Sequence, residues 1–229
     1  MLTIVIPVLN EAQEIGAALG ALQPLRGSGV EVIVVDGGSA DMTLAVASRF
    51  CDLAITAPRG RASQMNAGAA LARGRYLLFL HSDTRLPDRA CEEIATALSD
   101  GGRLWGRFDV KIRSDLAALG IVARLMNLRS RLTGIATGDQ AIFVRRDAFE
   151  RVGGFPDIPL MEDIAFSKTL KRLAHPMCLT SKVSTSGRRW KKHGVVRTIV
   201  LMWRLRLAYF LGADPSDLAV RYGYEPRQD

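Results

Sequence analysis

The residues with the most chemical potential stand at the ends of apolar runs. Asp36 closes the run 30–36 and is followed by Gly37 and Gly38. A carboxylate there can accept a hydrogen bond from an imide N–H such as that of uracil, and glycines let backbone approach a ligand closely. The same carboxylate can instead cap the turn that follows. His81-Ser82-Asp83 comes after the run 76–80. A carboxylate supplies the hard oxygen that a divalent cation requires, whereas imidazole suits transition metals better than Mg2+. His81 can also do no more than hydrogen-bond its neighbours. Glu162-Asp163 opens a helical pattern; a helix N-terminus favours ionised carboxylates, which suits a general base and a helix cap equally. Arg59 and Arg61 can reach an anion, and Arg188-Arg189-Trp190-Lys191-Lys192 sets arginine beside an aromatic ring.

These groups need elements to carry them. Residues 3–8 are a continuous apolar run, a buried strand, and Asn10 with Gln13 three positions later predicts a capped helix to about residue 23. A second buried strand covers 30–36, and Ser39 is placed to cap a helix over about 40–50. A short strand at 53–57, a helix over about 62–73, a strand at 76–80 and a helix opened by Pro87 follow. Strands alternating with helices predict right-handed βαβ units and a mostly parallel sheet. Beyond residue 100 the pattern predicts a strand at 105–112, a helix at 115–131, a strand at 140–144 and a short helix from Asp147 closed by Gly153-Gly154. A helix at 162–173 and an edge strand at 177–183 complete it. Open parallel sheets bind ligands outside the carboxyl ends of their strands, which is where Asn10, Asp36 and 81–83 fall.

With 229 residues, 48% of them hydrophobic and 24% charged, the chain can bury a full core, which excludes a disordered or low-complexity protein. The reading is one domain over 1–229, with a nucleotide-handling half at 1–100, an acceptor-handling half at 101–192 and a helical tail at 193–229. Cys51, Cys91 and Cys178 form no CxxC pair and the three histidines have no zinc spacing, which suits a reducing compartment. The first residues lack the basic start and apolar middle of a leader, so a cytoplasmic protein is expected. Residues 1–100 hold eight basic and eleven acidic side chains. Between Ile164 and Ala213 eleven Lys or Arg occur and no acid. Such a field favours an anionic partner: a diphosphate, a lipid phosphate, a membrane surface or nucleic acid. The apolar stretch 195–211 is broken by Arg197, Arg204 and Arg206, too often for a transmembrane span. It either packs on the core or lies in a membrane interface.

The segments IVIPVLNEA (4–12), VVDGGSADMT (34–43), MNAGAALARGRYLLFLHSDT (65–84), GDQAIFVRRDAFERVGGF (138–155) and MED (161–163) resemble glycosyltransferase family 2. More narrowly they resemble its short bacterial members labelled selenodomain-associated transferases. The match runs over nearly the whole chain in the family's order and spacing. The resemblance implies a GT-A fold. It also implies inverting, metal-dependent transfer of a sugar from a nucleotide-diphospho-sugar, with uridine the usual base, to a hydroxyl acceptor, lipid-linked acceptors included. It assigns Pro7, Asn10, Glu11 and Asp36 to the nucleotide pocket, Asp83 to a divalent metal (Mn2+ or Mg2+), Asp163 to the base and Glu162 to its support. Gly138, Asp139 and Gln140 fall where the family contacts donor sugar and acceptor. The sequence departs from the pattern at His81, where the family's DxD motif begins with Asp. Met65 replaces a basic residue before Asn66, so Arg61 serves the diphosphate only by displacement. Arg189 and Trp190 echo the motif of processive members, but its preceding glutamine is missing, which favours single-sugar transfer with closure over the diphosphate or acceptor.

Two other classes compete. A sugar-phosphate nucleotidyltransferase requires a glycine-rich basic loop after the first strand, where this chain has Pro7-Val8-Leu9-Asn10-Glu11. A nucleic-acid-binding protein requires exposed aromatic and basic side chains together; aromatics are 7% of the chain and many sit inside apolar runs, so no nucleic-acid partner is expected. A degenerate transferase is the reading that His81 keeps open.

Overall fold

The computed structural model describes residues 1–99 and 101–224, apart from the side chain of Arg189. The first half alternates as the periodicity predicts: β1 (Leu2–Val8), α1 (Ala12–Gly20), α2 (Gln23–Gly27), β2 (Glu31–Asp36), α3 (Thr43–Ala47), β3 (Leu53–Thr56), α4 (Arg61–Leu71), β4 (Tyr76–Phe79) and α5 (Ala90–Ser99). The second half holds β5 (Trp105–Arg113), α6 (Ala117–Thr133), a 3-10 turn at Gly138–Gln140, β6 (Phe143–Arg145), α7 (Arg146–Arg151), α8 (Glu162–Lys171) and β7 (Met177–Ser186). A tail of α9 (Arg188–His193), α10 (Val195–Phe210) and α11 (Pro215–Tyr222) follows.

Seven strands form one sheet in the order β3-β2-β1-β4-β6-β5-β7. The ladders from β3 to β4 are parallel, β6 runs antiparallel to both its neighbours, and β7 is parallel to β5. Alternation along each strand divides the core. Leu2, Ile4, Ile6 and Val8 of β1 face one cluster with α1, α5 and α6, whereas Val5, with Ile33 and Val35 of β2, faces the other with α4, α7 and α8. Period-two side-chain geometry requires this split when both faces of a sheet are covered. Gly68 lets α4 lie close on the sheet, because a Cβ there would stand 2.5 Å from Val5.

Several expected boundaries move for identifiable reasons. Asn10 does not cap α1. It adopts a left-handed conformation (φ 53°), its N–H donates to Ser39 Oγ at 2.8 Å, and its Oδ1 accepts from Ala40 N. Ser39 is thereby occupied, and α3 starts later, at Thr43, whose N–H donates to Asp41. The helix expected to reach residue 23 breaks after Gly20, and Pro24 sits in the first turn of α2. Pro87 closes a turn with Ala90, where α5 begins. Gln140, read as the start of a strand, belongs to the 3-10 turn, and the strand begins at Phe143.

The tail wraps back along the molecule. Leu205 of α10 and Leu218 and Ala219 of α11 form a small cluster with Leu160, Met161 and Ile164 at the start of α8. Asp214 accepts a hydrogen bond from Ser216 N–H and caps α11. No described helix is long and apolar enough to cross a membrane.

Candidate active site

β1 has β2 on one side and β4 on the other, and the loops that follow β1 and β4 meet outside their carboxyl ends. A cleft of about 690 Å³ lies there. Its floor is fixed by backbone. Gln64, buried on α4, donates from Nε2 to Val8 O at 2.9 Å and to Val35 O at 2.7 Å, tying the ends of β1 and β2 together.

One wall follows β1. Pro7, Asn10 and Glu11 line it, and Glu11 N–H donates to Thr43 Oγ1 at 2.8 Å. Burial raises the Glu11 carboxyl; Arg188 opposes this, while Asp83 and Asp41 push the same way as burial. Asp83, after β4, thus stands within electrostatic reach of Glu11. Its Oδ1 accepts weak hydrogen bonds from Thr84 and Thr185 hydroxyls at 3.2 and 3.3 Å, and Arg113 holds its backbone carbonyl at 2.8 Å. Among the described residues no three His, Cys, Asp or Glu side chains gather as a metal cage. Hard carboxylate oxygens of this kind fit a divalent cation whose remaining ligands come from phosphate and water.

The opposite wall is the 3-10 turn against the start of α8. Asp163 Oδ2 accepts from Gly138 N–H at 2.9 Å and Oδ1 accepts from Ile164 N–H at 2.7 Å, so both carboxylate oxygens are oriented by backbone. His81 Nδ1 lies 3.5 Å from Asp139 Oδ1. The imidazole rests on Gly138, where a Cβ would come within 2.5 Å of Cε1 and Nε2. Burial works to raise the Asp139 carboxyl, but the His81 hydrogen bond and the His81, Arg61 and Arg206 charges hold it below the usual carboxylate range. Glu162 is 5% exposed. Burial first, and the Asp163 charge second, push its carboxyl up to about 7 against the pull of Arg61. Arg61 lies 5.8 Å from the Tyr224 ring centroid, and Tyr224, then Glu162, Tyr222 and Asp139, raise its guanidinium further against burial.

The tail completes the wall with residues that sequence reasoning missed. Arg206 of α10 lines the cleft, and burial lowers its guanidinium against the attraction of Asp163 and Asp139. Arg129 of α6 stands beside it, pushed down to about 10 by burial and by the Arg206 charge. Arg206 Nε and Arg129 Nε and Nη2 are buried without hydrogen-bond partners. Tyr222 and Tyr224 line the same cavity. A signal existed: at helical spacing Arg206 points away from the face shared by Arg197 and Arg204.

Pro7, Asn10, Glu11, Arg61, His81, Asp83, Gly138, Asp139, Glu162, Asp163 and Trp190 are all brought to this one cleft. Two expected residues are not. Asp36 is 2% exposed, and its carboxylate accepts from Gly38 N–H, Ser39 N–H and the Ser39 hydroxyl, so it holds the turn behind the wall. Gln140 is fully buried beneath the cleft. Its Oε1 accepts from Thr137 N–H at 3.2 Å and its Nε2 approaches Asn127 Oδ1 at 3.4 Å, which leaves no amide for a sugar. Arg189 has its backbone in α9, and its side chain lies outside the described residues.

Comparison with known proteins gives this arrangement a family. The model of glycosyl transferase family 2 matches residues 3–153. The chain belongs to that family. A PGL/p-HBAD biosynthesis glycosyltransferase of Mycobacterium bovis is 30% identical over 170 residues, covering 68% of this chain and 63% of the relative. The chain therefore spans less than two thirds of the length of that curated relative. Among solved structures, the mannosyltransferase PcManGT from Pyrobaculum calidifontis in complex with GDP-Man and Mn2+ superposes with a TM-score of 0.65 at 24% identity, over 98% of this chain and 65% of that one. Glucosyl-3-phosphoglycerate synthase from Mycobacterium tuberculosis, solved with Mn2+, UDP and glucosyl-3-phosphoglycerate, gives 0.65 at 19% identity over 99% and 81%. The family 2 chain thus has the GT-A fold, an α/β sheet flanked by helices.

Proposed function

We propose that this family 2 chain is a glycosyltransferase that moves one sugar, with inversion, from a nucleoside-diphosphate sugar, UDP-linked by preference, to a hydroxyl acceptor. The observation that carries the reading is that Asp83 and Asp163 line one cleft: one carboxylate after β4, the other at the start of α8 with both oxygens oriented by backbone N–H groups. In-line displacement needs the attacking hydroxyl and its base on the face opposite the leaving diphosphate. In this reading the acceptor oxygen forms its bond to the anomeric carbon as the bond from that carbon to the diphosphate oxygen breaks. The hydroxyl proton passes to Asp163, and the nucleoside diphosphate leaves.

Each Asp163 oxygen accepts one backbone hydrogen bond and keeps a lone pair for the acceptor hydroxyl. In this reading Asp139, beside His81, orients sugar hydroxyls, and Arg61 meets the diphosphate. Asp83, with Glu11 within electrostatic reach, would hold a divalent cation, Mn2+ or Mg2+. When bound, the cation supplies charge neutralisation at the departing diphosphate.

The decisive experiment is thermal stabilisation by a panel of nucleoside diphosphates with and without Mn2+ or Mg2+. UDP at a hundred times its dissociation constant should add about 2.7 kcal/mol, only with metal present, and Asp83→Ala should remove the effect. If no nucleotide stabilises the protein under either condition, the donor-site reading fails.

A further inference from the structure

Among the described residues, α6 and α10 carry apolar side chains that stand largely exposed, although Lys168 Nζ lies 4.3 Å from the Phe210 ring centroid. On α6, Ile121, Leu125, Leu128 and Leu132 are each more than half exposed. On α10, Val196, Val200, Trp203, Leu207 and Phe210 stand out from the surface, and Leu211 follows directly, 79% exposed. The spacings of three and four residues place each set on one stripe of its helix. The other sides of these helices are packed. Met126 of α6 and Val195 and Ile199 of α10 join one core cluster, and Arg129 and Arg206 are electrostatic neighbours. The two helices therefore approach each other at Arg129 and Arg206, and each carries its apolar stripe outward. Exposed leucines scattered singly are ordinary on a protein surface; two helix-long stripes on adjoining helices are not.

The charges beside the stripes say what covers them. Neither α6 nor α10 contains an acidic residue, and each contains three arginines. Arg124 and, on α10, Arg197 and Arg204 are exposed. At ~100° per residue they flank the stripes rather than interrupt them. Exposed Lys192 of α9 precedes α10 on the same acid-free stretch. A second copy docked face to face through a twofold axis would bring these like charges together. A nucleic acid would meet the arginines and leave the apolar stripes wet. A surface with acyl chains beneath anionic headgroups satisfies both at once, because arginines flanking a helix reach lipid phosphates while the stripe sinks below them.

We propose that α6 and α10 form a docking face for an anionic lipid surface, on which the chain lies without crossing it. The face does not depend on the transfer reading, since none of its stripe residues lines the cleft.

The test is flotation of the full chain with vesicles of phosphatidylglycerol and phosphatidylcholine, against vesicles of phosphatidylcholine alone. Trp203 is a built-in reporter. It is 68% exposed, whereas Trp105 is fully buried and Trp190 partly so, so insertion should shift the emission to shorter wavelength. The expected result is binding that rises with phosphatidylglycerol content and weakens in high salt. It should fall by about tenfold or more in Ile121→Glu and Leu207→Glu. Both positions are exposed, so folding should survive, and thermal unfolding with and without UDP and Mn2+ checks this independently. Failure of every nucleoside diphosphate in the panel to stabilise the protein while vesicle binding persists would sink the transfer reading and leave the docking face standing. No binding to anionic vesicles overturns the docking proposal, as does binding indifferent to both substitutions. A dimer in sedimentation that the two substitutions dissolve, without vesicle binding, assigns the face to a second copy; salt-sensitive binding of RNA alone assigns it to nucleic acid.

Discussion

The two walls of the cleft are built in different ways. On the β1 and β4 side, the residues from Pro7 to Glu11 and from His81 to Asp83 sit within four positions of a strand end, and the floor is pinned by Gln64 to backbone carbonyls of β1 and β2. On the α8 side, the wall is assembled from the 3-10 turn, the start of α8 and a tail that returns from some forty residues further along the chain. The first wall is the local product of a parallel sheet, and the second is a product of tertiary packing. A role that needs little more than a strand end, such as presenting a carboxylate to a cation, can sit on the first. In the proposed mechanism the base belongs to the second, where Asp163 accepts from Gly138 N–H across twenty-five residues.

If the division is real, substitutions on the two walls should fail differently. Asp163→Asn should show the largest effect, a fall in transfer rate of about 10²- to 10⁴-fold with donor binding intact. Stabilisation by UDP and Mn2+ comparable to wild type, beside single-turnover rates, would verify the split; lost donor binding would erase it.

Glu162 tests the second wall through pH. Its carboxyl is raised in the folded protein from 4.5 to about 7. The folded state therefore holds a proton there that the unfolded state releases. This contribution to stability is complete below pH 4.5, declines as pH rises toward 7 and is absent above. The loss should amount to roughly 3 kcal/mol across that window. Glu162→Gln should remove that component, measured as the difference between the two pH–stability curves from denaturant unfolding.

The smallest of these effects concerns the contact between the walls. Gly138→Ala should cost about 1–3 kcal/mol, because its Cβ would displace the His81 ring from Asp139. In a His81→Ala background the same change should cost close to nothing. Equal costs in both backgrounds would mean that the imidazole yields freely and that the walls are not coupled at this point.

How far the sequence could be read follows the same division. Runs such as 3–8, 30–36 and 76–80 state their own burial, and a polar residue after such a run has few places to go. The parallel core and the cleft residues after β1 and β4 were therefore legible. Side-chain direction in short segments was not. Asp36 and Gln140 have suitable chemistry at suitable positions, but one carboxylate is spent on its own turn and the other amide faces Asn127. Asn10 and Ser39, each read as a helix cap, satisfy each other's loops instead. Arg206, Tyr222 and Tyr224 reach the site only because α10 and α11 fold back on α8, a contact that no local pattern encodes.

The contact between His81 and Gly138 also makes the two positions depend on each other. The space the imidazole fills exists only while position 138 has no side chain. Histidine at 81 and a side chain at 138 are therefore competing tenants of one volume, so a variant library randomised at both positions and selected for stability should recover them as alternatives rather than together.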